Sequence, residues 1–143
     1  MNVLIVCTAN VCRSPVAEYL LRQRASATGR AVQVTSAGTE AQSGGGADPV
    51  CIELLAQRGL DLRAHRTRRL NPAVDGKADL ILVMEPSHAQ RIRSLAPVLA
   101  GRVHLLGRWS RGAIADPHGA SSDAYMSCIG DIEDAVDSWL QRL

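Results

Sequence analysis

A chain of 143 residues, 46% hydrophobic and 21% charged, is long enough to bury one core without staples, and a single domain over residues 1–143 is expected. A formal net charge of +2, with two Trp, two Tyr and no Phe, supplies neither the basic field nor the stacking rings of a nucleic-acid binder. No basic N-terminal region precedes a long apolar stretch, and no apolar run approaches the roughly eighteen residues of a membrane span, so a cytoplasmic protein without membrane insertion is expected.

In chain order, Val3-Leu4-Ile5-Val6 reads as a buried strand. It delivers Cys7-Thr8-Ala9-Asn10-Val11-Cys12-Arg13-Ser14 and then Pro15, which suits a first helical position, so a helix is expected over about Pro15 to Ala27, stopped near Gly29. A second strand, Val32 to Thr35, leads to Ser43-Gly44-Gly45-Gly46, a stretch with the composition of a mobile loop able to border a site. Asp48-Pro49 is a cap followed by proline and opens a helix that ends near Gly59. Arg63, Arg66, Arg68 and Arg69 read as a solvated face, with a docking patch for acidic partners as the alternative. A third strand spans Leu80 to Met84, a helix runs from Pro86 to about Ala96-Pro97, and a fourth strand spans Val103 to Leu106. The last helix, about Ser122 to Leu143, carries Ile129, Ile132, Val136, Trp139 and Leu140 as an inward stripe.

Strands alternating with helices imply an α/β fold: a three-layer α/β/α domain with a four-stranded parallel sheet, helices on both faces and a phosphate-binding loop after the first strand. Ligands of such sheets bind beyond the carboxyl ends of the strands, where Cys7 lies. A helix N-terminus presents unpaired N–H groups and positive dipole charge, which suits an oxyanion and favours a cysteine thiolate. With Arg13 able to hold two oxyanion oxygens, Cys7 becomes a nucleophile for a phosphoryl group. Bare spacing is weak support, because fifteen of the 143 residues are Arg; the alternative is that Cys7 simply ends a strand as a small buried residue. The leaving oxygen needs a proton, and Asp116 of Asp116-Pro117 is the best-placed carboxylic acid, although Asp-Pro also reads as a turn. His88 and His104 have no evident partners and read as structural or exposed, and Tyr125 and Trp109 read as packing or as aromatic wall. Four cysteines, at 7, 12, 51 and 128, show neither CxxC nor zinc-ligand spacing, so reduced thiols and no metal or cofactor are expected.

These residues resemble the low-molecular-weight protein tyrosine phosphatases, especially the bacterial kind associated with exopolysaccharide or capsule production. The likeness runs from Val6 through Pro15 with Ala17-Glu18, through Thr35-Ser36-Ala37-Gly38-Thr39, Ala47-Asp48-Pro49 and Ala78 to Met84, to Asp116-Pro117. It implies that Cys7 is the nucleophile, that Arg13 binds the phosphoryl oxygens, and that Asp116 is first acid and then base for the water that hydrolyses phosphocysteine. Thr8, Ala9, Asn10, Val11, Cys12 and Ser14 complete the phosphate-binding loop. It further implies that Ser14 hydrogen-bonds the thiolate, that Asn10 fixes the loop backbone, and that Ser36 and His65 brace Asn10. Cys12 either fills the loop or traps oxidised Cys7 as a reversible disulfide.

Two positions depart from the family pattern. His118 stands where a tyrosine commonly follows Asp-Pro, and Gln42 with the glycine run stands where other members place bulkier apolar groups. Both line the expected substrate entrance, so the wall is less greasy and His118 adds a group that titrates near neutral pH. The implied partner is a phosphotyrosine protein, an autophosphorylating bacterial tyrosine kinase, met by a monomer or weak dimer. A thiol-dependent arsenate reductase is the rival enzyme, but Cys51 and Cys128 do not form the close pair it needs; a non-catalytic phosphoprotein-binding module is the rival from another class.

Overall fold

The computed structural model describes residues 1–143. Strand β1 (Asn2–Cys7) is central: it pairs in parallel with β2 (Gln33–Gly38) on one side and with β3 (Leu80–Val83) on the other, and β3 pairs with β4 (Val103–Leu105). The order β2-β1-β3-β4 leaves β1 and β3 flanked on both sides, which is why their sequences are unbroken apolar runs.

Alternation along β1 divides the core. Val3, Ile5 and Cys7 face one way, against α1 (Arg13–Ala27), α2 (Pro49–Ala56) and α5 (Ser122–Leu140). Leu4 and Val6 face the other, against α4 (Pro86–Leu95). The stripe Ile129, Ile132, Val136, Trp139 and Leu140 is buried against α1, as its spacing required. The layers and the parallel four-stranded sheet therefore agree with the sequence reading.

Several boundaries differ. Helix α1 begins at Arg13 rather than Pro15, and β2 runs on to Gly38 instead of stopping at Thr35. Ser36-Ala37-Gly38 lacks the bulky residues that mark strands because the loop after β1 lies against it. A Cβ on Gly38 would sit 2.4 Å from the Thr8 carbonyl oxygen and 2.9 Å from the Asn10 nitrogen. A short helix, α3 (Pro72–Asp75), opened by Asn71 accepting from the Ala73 N–H, has no counterpart in the sequence reading. The arginine-rich face also needs correction at Arg68: its guanidinium makes a bidentate pair with the buried Asp75 of α3, at 2.7 and 3.2 Å.

Candidate active site

Residues 8–12 connect β1 to α1, and the orientation of their peptides is fixed from outside. The carbonyls of Cys7 and Thr8 accept from the Thr39 and Glu40 N–H groups, both at 2.9 Å. The Val11 carbonyl accepts from the Asp48 N–H at 2.8 Å, and that of Cys12 from the Val16 N–H at 3.0 Å. The Asn10 carbonyl is bonded by His65 Nε2 at 2.8 Å. With the carbonyls turned outward, the N–H groups of residues 8–12 turn the other way and donate to no group of the chain. Unpaired backbone donors clustered at a helix N-terminus are an anion cradle.

Asn10 makes the turn possible. Its φ of 59° is the only positive value at a non-glycine residue, a conformation asparagine tolerates better than most. Its amide nitrogen donates to Ser14 Oγ (2.8 Å) and Ser36 Oγ (3.0 Å), and its Oδ1 accepts from the Arg68 N–H (3.0 Å). Ser14 Oγ lies 2.9 Å from Cys7 Sγ. Ser36 Oγ donates in turn to the buried Glu18, which is paired with Arg22. The structure thus brings together Cys7, Asn10, Ser14, Ser36 and His65, all buried.

Arg13, 2% exposed, is the first residue of α1. Its Nη1 donates to the Ile114 carbonyl at 2.8 Å and lies 3.1 Å from Glu85 Oε2, while Nη2 lies 4.0 Å from Asp116 Oδ2. Asp116 stands in the loop before α5, with half of its side chain in solvent, and its Oδ1 accepts from the His118 N–H in a tight turn. The turn reading of Asp-Pro is seen directly, and it leaves Asp116 Oδ2 facing Arg13.

The wall beside the loop mixes polar and apolar surface and carries no aromatic side chain. A groove of about 580 Å³ beside the loop is lined by Ala9, Val11, Gln42, Ser43, Gly44, Gly45, Thr67 and Glu40. The glycine run borders the site as expected, but it is pinned: the Gly44 N–H donates to the Thr67 carbonyl, the Gly45 carbonyl accepts from the Thr67 N–H, and the Thr67 hydroxyl accepts from the Gly45 N–H and donates to the Gln42 carbonyl. His118 is largely exposed, with Nδ1 3.6 Å from Asp48 Oδ2. Tyr125 is no wall residue. It is buried, and its phenol donates at 2.6 Å to Asp48, a hydrogen bond that pushes its pKa up to about 12. Trp109 lies between the guanidinium groups of Arg108 and Arg142 and against Trp139 of α5.

Two cysteine expectations are corrected. Cys12 is joined to Cys51 by a disulfide, with Cα atoms 6.0 Å apart, instead of standing reduced or facing Cys7. Cys12 caps α1 with its side chain turned into the core toward α2, whereas Cys7 Sγ is directed at Ser14. Cys7 stays a free thiol. Cys128 is also free, and burial pushes its thiol up to about 12.

Sequence reasoning did not name Glu85, and it read His88 as structural or exposed, without its partner. His88 is 3% exposed and bonded to Thr8, and Glu85 is paired with Arg13. The available signal was their spacing, N-cap and third helical position just after a strand, where a side chain reaches back to the N-cap N–H.

Comparison with known proteins agrees with this geometry. Residues 2–143 match the family described as low molecular weight phosphotyrosine protein phosphatase. The chain is 41% identical over 142 residues to the probable low molecular weight protein-tyrosine-phosphatase EpsP of Ralstonia nicotianae, covering 99% of this chain and 95% of the relative. It is 36% identical over 143 residues to Wzb of Escherichia coli K12, covering 99% and 95%. Among solved structures, the tyrosine phosphatase Wzb from Escherichia coli K30 in complex with sulphate superposes with a TM-score of 0.90 at 34% identity, covering 99% and 96%. The YwlE arginine phosphatase, in a variant with a phosphorylated active-site serine, superposes with a TM-score of 0.95 at 33% identity, covering 100% and 95%. The chain belongs to the low-molecular-weight phosphotyrosine protein phosphatases. It is accordingly an enzyme of the protein tyrosine phosphatase class. No helix is long and apolar enough to cross a membrane.

Proposed function

We propose that the chain hydrolyses phosphotyrosine in two displacements at Cys7. In the first, Cys7 Sγ attacks phosphorus as the thiolate; the P–S bond forms as the P–O bond to tyrosine breaks, and Asp116 gives its proton to the departing phenoxide. Arg13 and the N–H groups of residues 8–12 hold the non-bridging oxygens, where negative charge is largest. In the second, Asp116 takes a proton from water, whose oxygen attacks phosphorus and displaces Cys7. The observation that carries this reading is the cluster of unpaired loop N–H groups sharing one segment with Cys7 and flanked by Arg13 and Asp116. By this reading Ser14, whose Oγ accepts from Asn10 and lies 2.9 Å from Cys7 Sγ, donates to the sulfur as it departs. Ser36 and His65 keep Asn10 in its left-handed turn.

The substrate by this reading is a phosphotyrosine protein, namely an autophosphorylating bacterial tyrosine kinase or its targets in exopolysaccharide or capsule production, met by a cytoplasmic monomer or weak dimer. The family resemblance and the relatives above support it. Gln42, Ser43 and His118, in place of an aromatic wall, favour a second reading in which phosphoarginine, the class of substrate named for YwlE, is accepted as well.

Hydrolysis of p-nitrophenyl phosphate by the purified protein, with reductant and chelator, tests the reaction; turnover without metal is expected. Phosphotyrosine and phosphoarginine peptides then divide the two substrate readings. Absence of turnover with Cys7 reduced would sink the catalytic reading in favour of a binding module.

A further inference from the structure

His88 reaches the phosphate loop from α4, across the sheet from the helix that carries Arg13. Its two ring nitrogens have unequal neighbours. Nδ1 lies 3.1 Å from the Glu85 backbone nitrogen, which can only donate, so Nδ1 is an acceptor and carries no proton. The ring proton therefore sits on Nε2, 2.9 Å from Thr8 Oγ1, and the hydroxyl receives it. Arg13 Nη2 directs a second donor at the same oxygen from 3.5 Å. An oxygen that accepts twice must aim its own proton elsewhere, and no protein acceptor lies within its reach. Thr8 is the first residue of the loop whose N–H groups form the cradle, and its oxygen lies beside the guanidinium that flanks it.

We propose that the Thr8 hydroxyl is a side-chain hydrogen-bond donor to the phosphoryl group, and that His88 is a positioning residue that fixes its direction. The proposal rests on the phosphatase reading above and adds to it a donor and the group that orients it. It also gives a reason for a buried histidine and a buried arginine to share one oxygen. Neither can accept from Thr8 in these states, so its proton is left for an acceptor outside the chain, which by this proposal is the anion. Burial, and then the nearby Arg13 charge, hold His88 below the usual histidine range, which keeps Nδ1 bare at neutral pH.

The test is inorganic phosphate binding, read as inhibition of p-nitrophenyl phosphate hydrolysis and directly by calorimetry, with circular dichroism to confirm folding. Thr8→Val should weaken phosphate roughly ten- to hundredfold, the loss expected for one hydrogen bond to a charged group. Thr8→Ser should recover most of that loss. His88→Ala should weaken phosphate about three- to tenfold in the wild-type background, since the hydroxyl remains but is free to turn. The same change should do nothing further in a Thr8→Val background. His88→Gln, which keeps a donor toward Thr8 and an acceptor toward the Glu85 N–H, should restore binding. A Thr8→Val protein that binds phosphate as wild type does would overturn the proposal while leaving the phosphatase reading intact. So would a His88→Ala effect that persists undiminished without the hydroxyl. A wild-type protein that neither turns over nor binds phosphate would overturn both.

Discussion

The floor of the cradle and its rim differ in how they are held. Cys7, Asn10, Ser14 and Ser36 are each at most 4% exposed and form one connected chain of hydrogen bonds. Asp116 and His118 keep 50% and 71% of their side chains in solvent and are tied by one turn, one 3.6 Å contact to Asp48 and the 4.0 Å approach of Asp116 to Arg13. On the mechanism proposed above, the difference follows from the tasks. Donors that stabilise a transition state must stand in place beforehand, whereas an acid that trades protons with water and admits a protein substrate must be reachable.

Substitutions on the two parts should therefore fail in different ways. Replacing the proposed nucleophile, Cys7→Ser, should lower turnover on the order of ten-thousandfold or more while phosphate binding survives; turnover near wild type would remove the covalent mechanism. On the rim, Asp116→Ala should slow phosphotyrosine hydrolysis by about 10²–10⁴-fold and p-nitrophenyl phosphate far less, because only the poorer leaving group needs the proton. Equal losses on both substrates would disqualify Asp116 as the acid. On the floor, Gly38→Ala should lower stability by about 1–3 kcal/mol, seen as a lower melting temperature, because its methyl meets loop backbone rather than a yielding side chain. An unchanged melting temperature would show that the loop and β2 are not in the contact described.

A smaller effect is expected with pH. His88 is held below its ordinary pKa, by burial first and by Arg13 second, with Glu85, Asp116 and Glu40 acting in the opposite direction. The unfolded chain then takes up a proton near pH 6.5 that the folded chain refuses, so stability is full above that pH and falls as pH drops below it. His88→Gln should flatten the melting temperature between pH 7 and 5; a profile unchanged by the substitution would clear His88 of the effect. Smallest in its effect on turnover, mild oxidation followed by peptide mapping should recover Cys12 linked to Cys51 with Cys7 free. A Cys7–Cys12 link would reverse the pairing.

How much of this could be read beforehand follows from range along the chain. The sheet was legible because β1 and β3, covered on both faces, must be apolar throughout, and α5 because its stripe repeats at helical spacing. Cys7, Arg13 and Asn10 were legible because one short segment holds them. His88 lies 80 residues from Thr8, Tyr125 77 from Asp48 and Cys51 39 from Cys12, and no local pattern encodes such pairs. The end of β2 was missed for a different reason. Its residues are small because a loop lies on them, and smallness reads as the absence of a strand.

The outward anchoring of the loop carbonyls also bears on kinetics. Because Thr39, Glu40, Asp48, His65 and Val16 set those peptides, the cost of ordering the donors is met when the chain folds, and an arriving anion need not meet it again. A site ready for the phosphoryl group of a substrate is equally ready for the free phosphate that leaves. Inorganic phosphate should enter and depart without a slow rearrangement and compete with substrate, so that its ambient concentration acts as a standing brake on the enzyme.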